Sequence, residues 1–141
     1  MANNVEKMMG DYLAAMNAHD LDKMLTFFTD DAVYECIPMG KLSKGKKEIK
    51  DFFGNTFTNF PDFKIEMKSA FNAGDRGAGE WVMSGTFAKS DIPAMPATGK
   101  KFSVRGAGIT EFKGGKISRS TNYWNLAAFL QQVGLMPGPP Q

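Results

Sequence analysis

Tyr12-Leu-Ala-Ala-Met-Asn-Ala-His-Asp-Leu-Asp22, continuing through Met24-Leu25-Thr-Phe27-Phe28-Thr-Asp30-Asp31-Ala-Val-Tyr34, is the stretch that decides the fold. With Val5, Met8 and Met9 before it, Tyr12, Leu13 and Met16 follow the i, i+3, i+4, i+7 spacing of a helix with one apolar face. That helix is expected to end near Asn17-Ala-His19. Asp20 then has the position and chemistry of an N-cap, because its carboxylate can accept from the free amides of a following turn. Leu21, Met24, Leu25 and Phe28 repeat the helical spacing, which predicts a second short helix. Ala32 to Ile37 alternates and is rich in β-branched and aromatic residues, which predicts a strand.

Pro38-Met-Gly40 breaks that strand, and Lys41 to Gly45 reads as a basic loop. From Lys46 to Phe60, the residues Ile49, Phe52, Phe53, Thr56, Phe57 and Phe60 share one helical face, and Pro61 ends the pattern. The chain then changes period. Phe63–Phe71, Gly79–Ala88, Lys101–Phe112 and Lys116–Trp124 alternate as strands, with turns at Ala73–Gly77 and Lys113-Gly-Gly115. Lys89 to Gly99, with Pro93 and Pro96, is a loop. Asn125 can cap a last helix bearing Leu126, Phe129, Leu130 and Val133 on one face, with Gly134 as its terminator. Helices followed by a run of strands form an α+β pattern, in which helices cover one face of a curved sheet. One domain over 1–135 and a short tail over 136–141 account for the 141 residues.

Apolar residues make up 43% and charged residues 23%, which is ordinary for a globular chain. A formal charge of +2 is too small and too dispersed for nucleic acid binding, so no nucleic acid partner is expected. No apolar run approaches the ~20 residues a membrane helix needs, so no membrane partner is expected either. The first residues lack the charged and apolar regions of an export signal, and a cytoplasmic location is the expectation. Cys36 is the only cysteine and His19 the only histidine, which argues against an intrachain disulfide and against a metal site; no cofactor is expected.

Together with Trp81-Val-Met-Ser-Gly-Thr86, Pro96-Ala-Thr-Gly99 and Phe112-Lys-Gly-Gly-Lys-Ile117, the opening stretch resembles the nuclear transport factor 2-like superfamily. Within it, the chain is similar to the SnoaL-like polyketide cyclases and the steroid Δ-isomerases. The resemblance implies a single α+β cone in which three N-terminal helices pack on a curved antiparallel sheet whose concave face is a pocket. It places the isomerases' oxyanion-hole tyrosine at Tyr12, their general base at Cys36 and their second, protonated aspartate at Gly108. It places the cyclases' acid/base aspartate at Asn122, a partner histidine at Gly108 and another common histidine at Phe87. Both families enolise a substrate by setting a carboxylate base against an acidic carbon and a donor against the carbonyl oxygen. This chain keeps one donor and lacks the carboxylates.

Tyr12 has two readings, as donor to a ligand oxygen or as a phenol bonded to a neighbouring side chain. Asn122 likewise is either a residue that orients a carbonyl or hydroxyl, or a satisfied core amide. Cys36 is a nucleophile only beside a cation, and no Lys or His is placed to supply one, so a small buried apolar group is the better reading. Tyr34, Phe53, Phe57, Trp81, Met83 and Trp124 are the expected apolar lining. Alternation sets Glu35, Glu111, Arg105 and Arg119 outside if Gly106, Gly108, Ser120 and Asn122 are inside. Glycine at 106 and 108 points to a bend or to space left for a ligand, and so to a wide pocket there.

Tyr12 and Asn122 are thus the candidate catalytic pair, and a small hydrophobic molecule is the expected partner. A homodimer through the outer sheet face is implied by the resemblance, with Val104 and Tyr123 as exterior apolar positions. Three functions follow from these observations: a cyclase- or isomerase-like enzyme acting on a hydrophobic carbonyl compound, a non-catalytic binder of such a molecule, or a protein-interaction module. The missing pocket carboxylate separates the first from the others.

Overall fold

The computed structural model describes residues 2–137, and Met1 and positions 138–141 of the expected tail lie outside the described residues. Helix α1 (Ala2–Asn17) turns its Tyr12, Ala15 and Met16 into the core, as their spacing demands. Asp20 caps α2 (Leu21–Leu25), its carboxylate accepting from Lys23 N at 3.2 Å. Strand β1 (Phe28–Cys36) follows, then β2 (Lys41–Lys44), α3 (Gly45–Asn59), β3 (Lys64–Ala73), β4 (Arg76–Thr86), β5 (Lys101–Lys113), β6 (Lys116–Trp124) and α4 (Leu126–Gln132). Asn125 caps α4 through Ala128 N at 2.9 Å. Gly134, at φ 82°, ends α4 by letting Leu135 N reach back to Leu130 O at 2.8 Å, the Schellman closure that a left-handed residue permits.

The strands form one sheet in the order β2-β1-β6-β5-β4-β3. Gly114 and Gly115, both at positive φ, make the two-residue hairpin between β5 and β6, where the strand twist favours such a turn. Register shifts between Met67 and Ser69 on β3 and between Glu111 and Phe112 on β5 insert bulges, which increase twist and bend the sheet around the helices. Helix α1 lies against β3, α3 against β1 and β2, and α4 against β5, while α2 packs on α1 and α3. On the opposite face Arg119 pairs with Glu35 at 2.8 Å and Arg105 with Glu80 at 3.4 Å, in keeping with the expected alternation.

Four expectations are corrected here. Four of the five strand pairings are antiparallel, but β1 and β6 run parallel, because the chain returns to β1 from the far edge of the sheet and not through a hairpin. Phe28 opens β1 and does not extend the second helix; it is fully buried, where strand and helix spacings both allow it. The basic stretch expected as a loop is the edge strand β2, paired with β1 at Cys36↔Lys41 and Tyr34↔Ser43, with only Ser43 buried. Lysines on such an edge resist pairing with another chain, which disguises the strand as a loop. Val104, expected outside, has the same parity as Gly106 and Gly108 and lies inside at 3% exposure, whereas Tyr123 is exposed as expected.

Candidate functional site

The sheet register places the candidate positions side by side. Cys36 on β1 is opposite Asn122 on β6, which is opposite Gly108 on β5, which is opposite Gly79 on β4. One residue pair along the strands, Tyr34, Ser120, Thr110 and Gly77 form a second row; on the other side Trp124, Gly106, Trp81 and Met67 form a third. Because strand side chains alternate, all three rows belong to one face, the concave one. With Tyr12 from α1 and Phe53 from α3 they enclose a cavity of about 980 Å³, large enough for a drug-sized molecule.

Tyr12 is 4% exposed, and its hydroxyl has no hydrogen-bond partner among the described residues. The ring is held edge-on by Phe28, with centroids 5.5 Å apart, and by Phe27 at 6.2 Å. Burial pushes the hydroxyl far above the usual phenol range, so it is a neutral donor at any ordinary pH. Burial, with Tyr12 and Cys36 nearby, raises the Tyr34 hydroxyl as well. Of the two readings open for Tyr12, bonding to a neighbouring side chain is not what the structure contains.

Asn122 is buried, and its Nδ2 donates to Ser120 Oγ at 3.0 Å and to the Glu35 carbonyl at 3.4 Å. The Glu35 carbonyl can only accept, so this contact fixes which end of the amide is nitrogen. Oδ1 is thereby turned toward Gly108, where an added Cβ would meet it at 2.7 Å and Trp81 Nε1 at 3.5 Å. The glycines therefore do not widen the pocket in the expected way. At Gly106 the space is filled by the Trp81 ring, and at Gly108 by the Asn122 amide and the indole nitrogen.

Cys36 is 4% exposed and unbonded to any other cysteine. Burial raises its thiol, while a Met39 backbone group and the Trp124 side chain, both hydrogen-bonding toward the sulfur, pull weakly the other way. The net direction favours the neutral thiol over the thiolate.

Met83, Trp81 and Trp124 line the cavity as expected. Phe57 does not. Its ring stacks on His19 with centroids 4.2 Å apart and a 3° tilt, and His19 Nε2–H donates to the Phe63 carbonyl at 2.8 Å. Helical spacing groups Phe57 with Phe53, but the turn at His19, at φ 56°, brings the imidazole against Phe57, which does not line the cavity.

Two polar wall residues, Thr110 and Ser120, went unnamed as site candidates although their parity with Gly108 and Asn122 places them inside. At the far end of the cavity Phe87, marked by the resemblance as a histidine position, meets Phe60, Phe102 and Phe129, which were missed because tertiary contact alone brings them together. The carboxylates that line the cavity, Glu6, Glu48, Asp51 and Asp91, are all exposed, and they mark its mouth. Among the described residues, no carboxylate or imidazole lies on the buried wall. No three His, Cys, Asp or Glu side chains there could hold a metal ion together, and no described helix is long and apolar enough to cross a membrane.

Residues 9–120 match the family described as the SnoaL-like domain. The chain belongs to that family. Among solved structures, this SnoaL-like chain superposes on TsrD from Streptomyces laurentii with a TM-score of 0.84 at 19% identity, covering 96% of this chain and 98% of TsrD. It superposes on a candidate polyketide cyclase from Xanthomonas campestris with a TM-score of 0.81 at 23% identity, covering 94% and 98% of the two chains. A hypothetical protein with a ketosteroid isomerase-like fold from Catenulispora acidiphila gives 0.79 at 22% identity, covering 92% of this chain and 93% of the other. At these identities the likeness establishes the fold alone.

Proposed function

We propose that this SnoaL-like chain binds a small hydrophobic carbonyl compound in the cavity, with the Tyr12 hydroxyl donating to the carbonyl oxygen. The observation that carries the reading is the buried Tyr12 hydroxyl, which has no partner among the described residues and sits on a wall built mainly of aromatic and methionine side chains. A buried polar group left unpaired costs about 1–3 kcal/mol, and a ligand oxygen removes that cost. The aromatic and methionine lining supplies the bulk of the affinity by excluding water.

The same wall makes the chain a binder and not an enolisation catalyst. A cyclase or isomerase needs a base against the acidic carbon, worth typically ~10²–10⁴-fold in rate. Asn122 stands where the family's carboxylate is expected and cannot take a proton at neutral pH. The rim carboxylates are solvated at the mouth, away from the polar cluster over Gly108.

Calorimetric titration with 2-acetonaphthone tests the binding. Tyr12→Phe is expected to weaken it by the value of one hydrogen bond, ~0.5–1.5 kcal/mol or about 2- to 12-fold. Unchanged affinity in that variant contradicts the role given to Tyr12. In the same samples, deuterium exchange at the methyl group beside the ketone, followed by NMR, is expected to be no faster than in buffer for the unmodified chain and accelerated in Asn122→Asp. Fast exchange by the unmodified chain would mean that it carries a base of its own.

A further inference from the structure

The geometry points to a second recognition element in this cavity: Asn122 Oδ1 and Trp81 Nε1, neighbours beside Gly108, together hold a hydroxyl of the ligand. The inference rests on the proposed binding of an apolar carbonyl compound and narrows it to hydroxylated ones. Both Nδ2 hydrogens of Asn122 are committed, to Ser120 Oγ at 3.0 Å and to the Glu35 carbonyl at 3.4 Å. The amide therefore offers the cavity an acceptor only, and a ligand carbonyl placed there would face it lone pair to lone pair.

Trp81 Nε1 is a donor only, and it has no hydrogen-bond acceptor among the contacts of the described residues. A Cβ built on Gly108 would lie 2.7 Å from Oδ1 and 3.5 Å from Nε1, so both atoms crowd that glycine and are neighbours on the cavity wall. An oxygen that satisfies both must donate one hydrogen bond and accept another. A hydroxyl does this; a ketone, an ether and a carboxylate do not. Alcohols, phenols and enols are the chemical classes selected, and with Tyr12 serving the carbonyl the preferred ligand carries both oxygen functions.

Three probes separate the possibilities by calorimetry: 2-acetonaphthone, its 6-hydroxy derivative, and the 6-methoxy derivative of the same ring. The hydroxyl compound is expected to bind about 2- to 10-fold more tightly than either of the others to the unmodified chain. Gly108→Ala, whose Cβ would lie 2.7 Å from Oδ1 and so displaces the Asn122 amide, is expected to abolish that preference, and Asn122→Leu to do the same. Retention of the Trp fluorescence and circular dichroism of the unmodified chain checks that each variant is folded. Equal binding of the three probes by the unmodified chain overturns the hydroxyl seat and leaves the carbonyl-binding reading standing. A preference that survives in a folded Gly108→Ala protein overturns it as well. Failure of every probe to bind defeats both readings together.

Discussion

Tyr12 and Asn122 differ in how each is prepared for a ligand. Tyr12 is held by ring packing alone, so its hydroxyl is positioned but unpaired. Asn122 is held by its own hydrogen bonds, which decide what it can offer. Sequence comparison located both positions, but it could not tell donor from acceptor, because that depends on the Glu35 carbonyl across the parallel β1/β6 pairing. Trp81 over Gly106 was hidden for a similar reason: a glycine in a strand shows that something approaches closely, not what approaches. Cys36 supplies a prediction at this scale. Since burial raises its thiol, native protein is expected to react with a water-soluble thiol reagent far more slowly than unfolded protein at pH 7, with the rate rising only into alkaline pH. Native labelling as fast as in denaturant would contradict its place on a closed wall.

At the scale of elements, hydrophobic period was enough for α1, α3, α4 and the long strands, where apolar spacing, caps and turn glycines agree. It failed where two periods coincide or where only one side chain is buried. Phe28 satisfies both a helix stripe and a strand start, and β2 buries Ser43 alone between exposed lysines and Leu42. The junctions also depend on side chains whose partners are distant in sequence. Asn17, at the end of α1, accepts from Ile65 N at 2.8 Å and donates to Ile65 O at 2.9 Å, completing the backbone bonds of β3 in place of a neighbouring strand. Asn17→Ala is expected to lower stability by ~1–3 kcal/mol, since it strands a donor and an acceptor beside the core. A urea midpoint shift of that size with an unchanged m-value is the expected readout. A change within ~0.5 kcal/mol would mean that solvent replaces the amide there.

For the molecule as a whole, the bent sheet and its covering helices create a cavity whose buried polar groups are neutral and whose charged groups, Lys41 among them, are at the rim. Fold and concave face were legible because the strand parity of Asn122 and Gly108 carries across the register; the aromatic far end was not, because Phe129 reaches Phe102 only after α4 folds back on β5. Methionine methyl groups report on the cavity directly. Met16, Met67 and Met83 line it, whereas Met24 is buried elsewhere and Met136 is on the surface. Titration of protein carrying 13C-methyl methionine with 2-acetonaphthone is predicted to shift the Met16, Met67 and Met83 signals saturably while Met24 and Met136 stay in place. Saturable binding that leaves those three signals unmoved, or that shifts Met136 instead, would contradict a ligand inside the cavity.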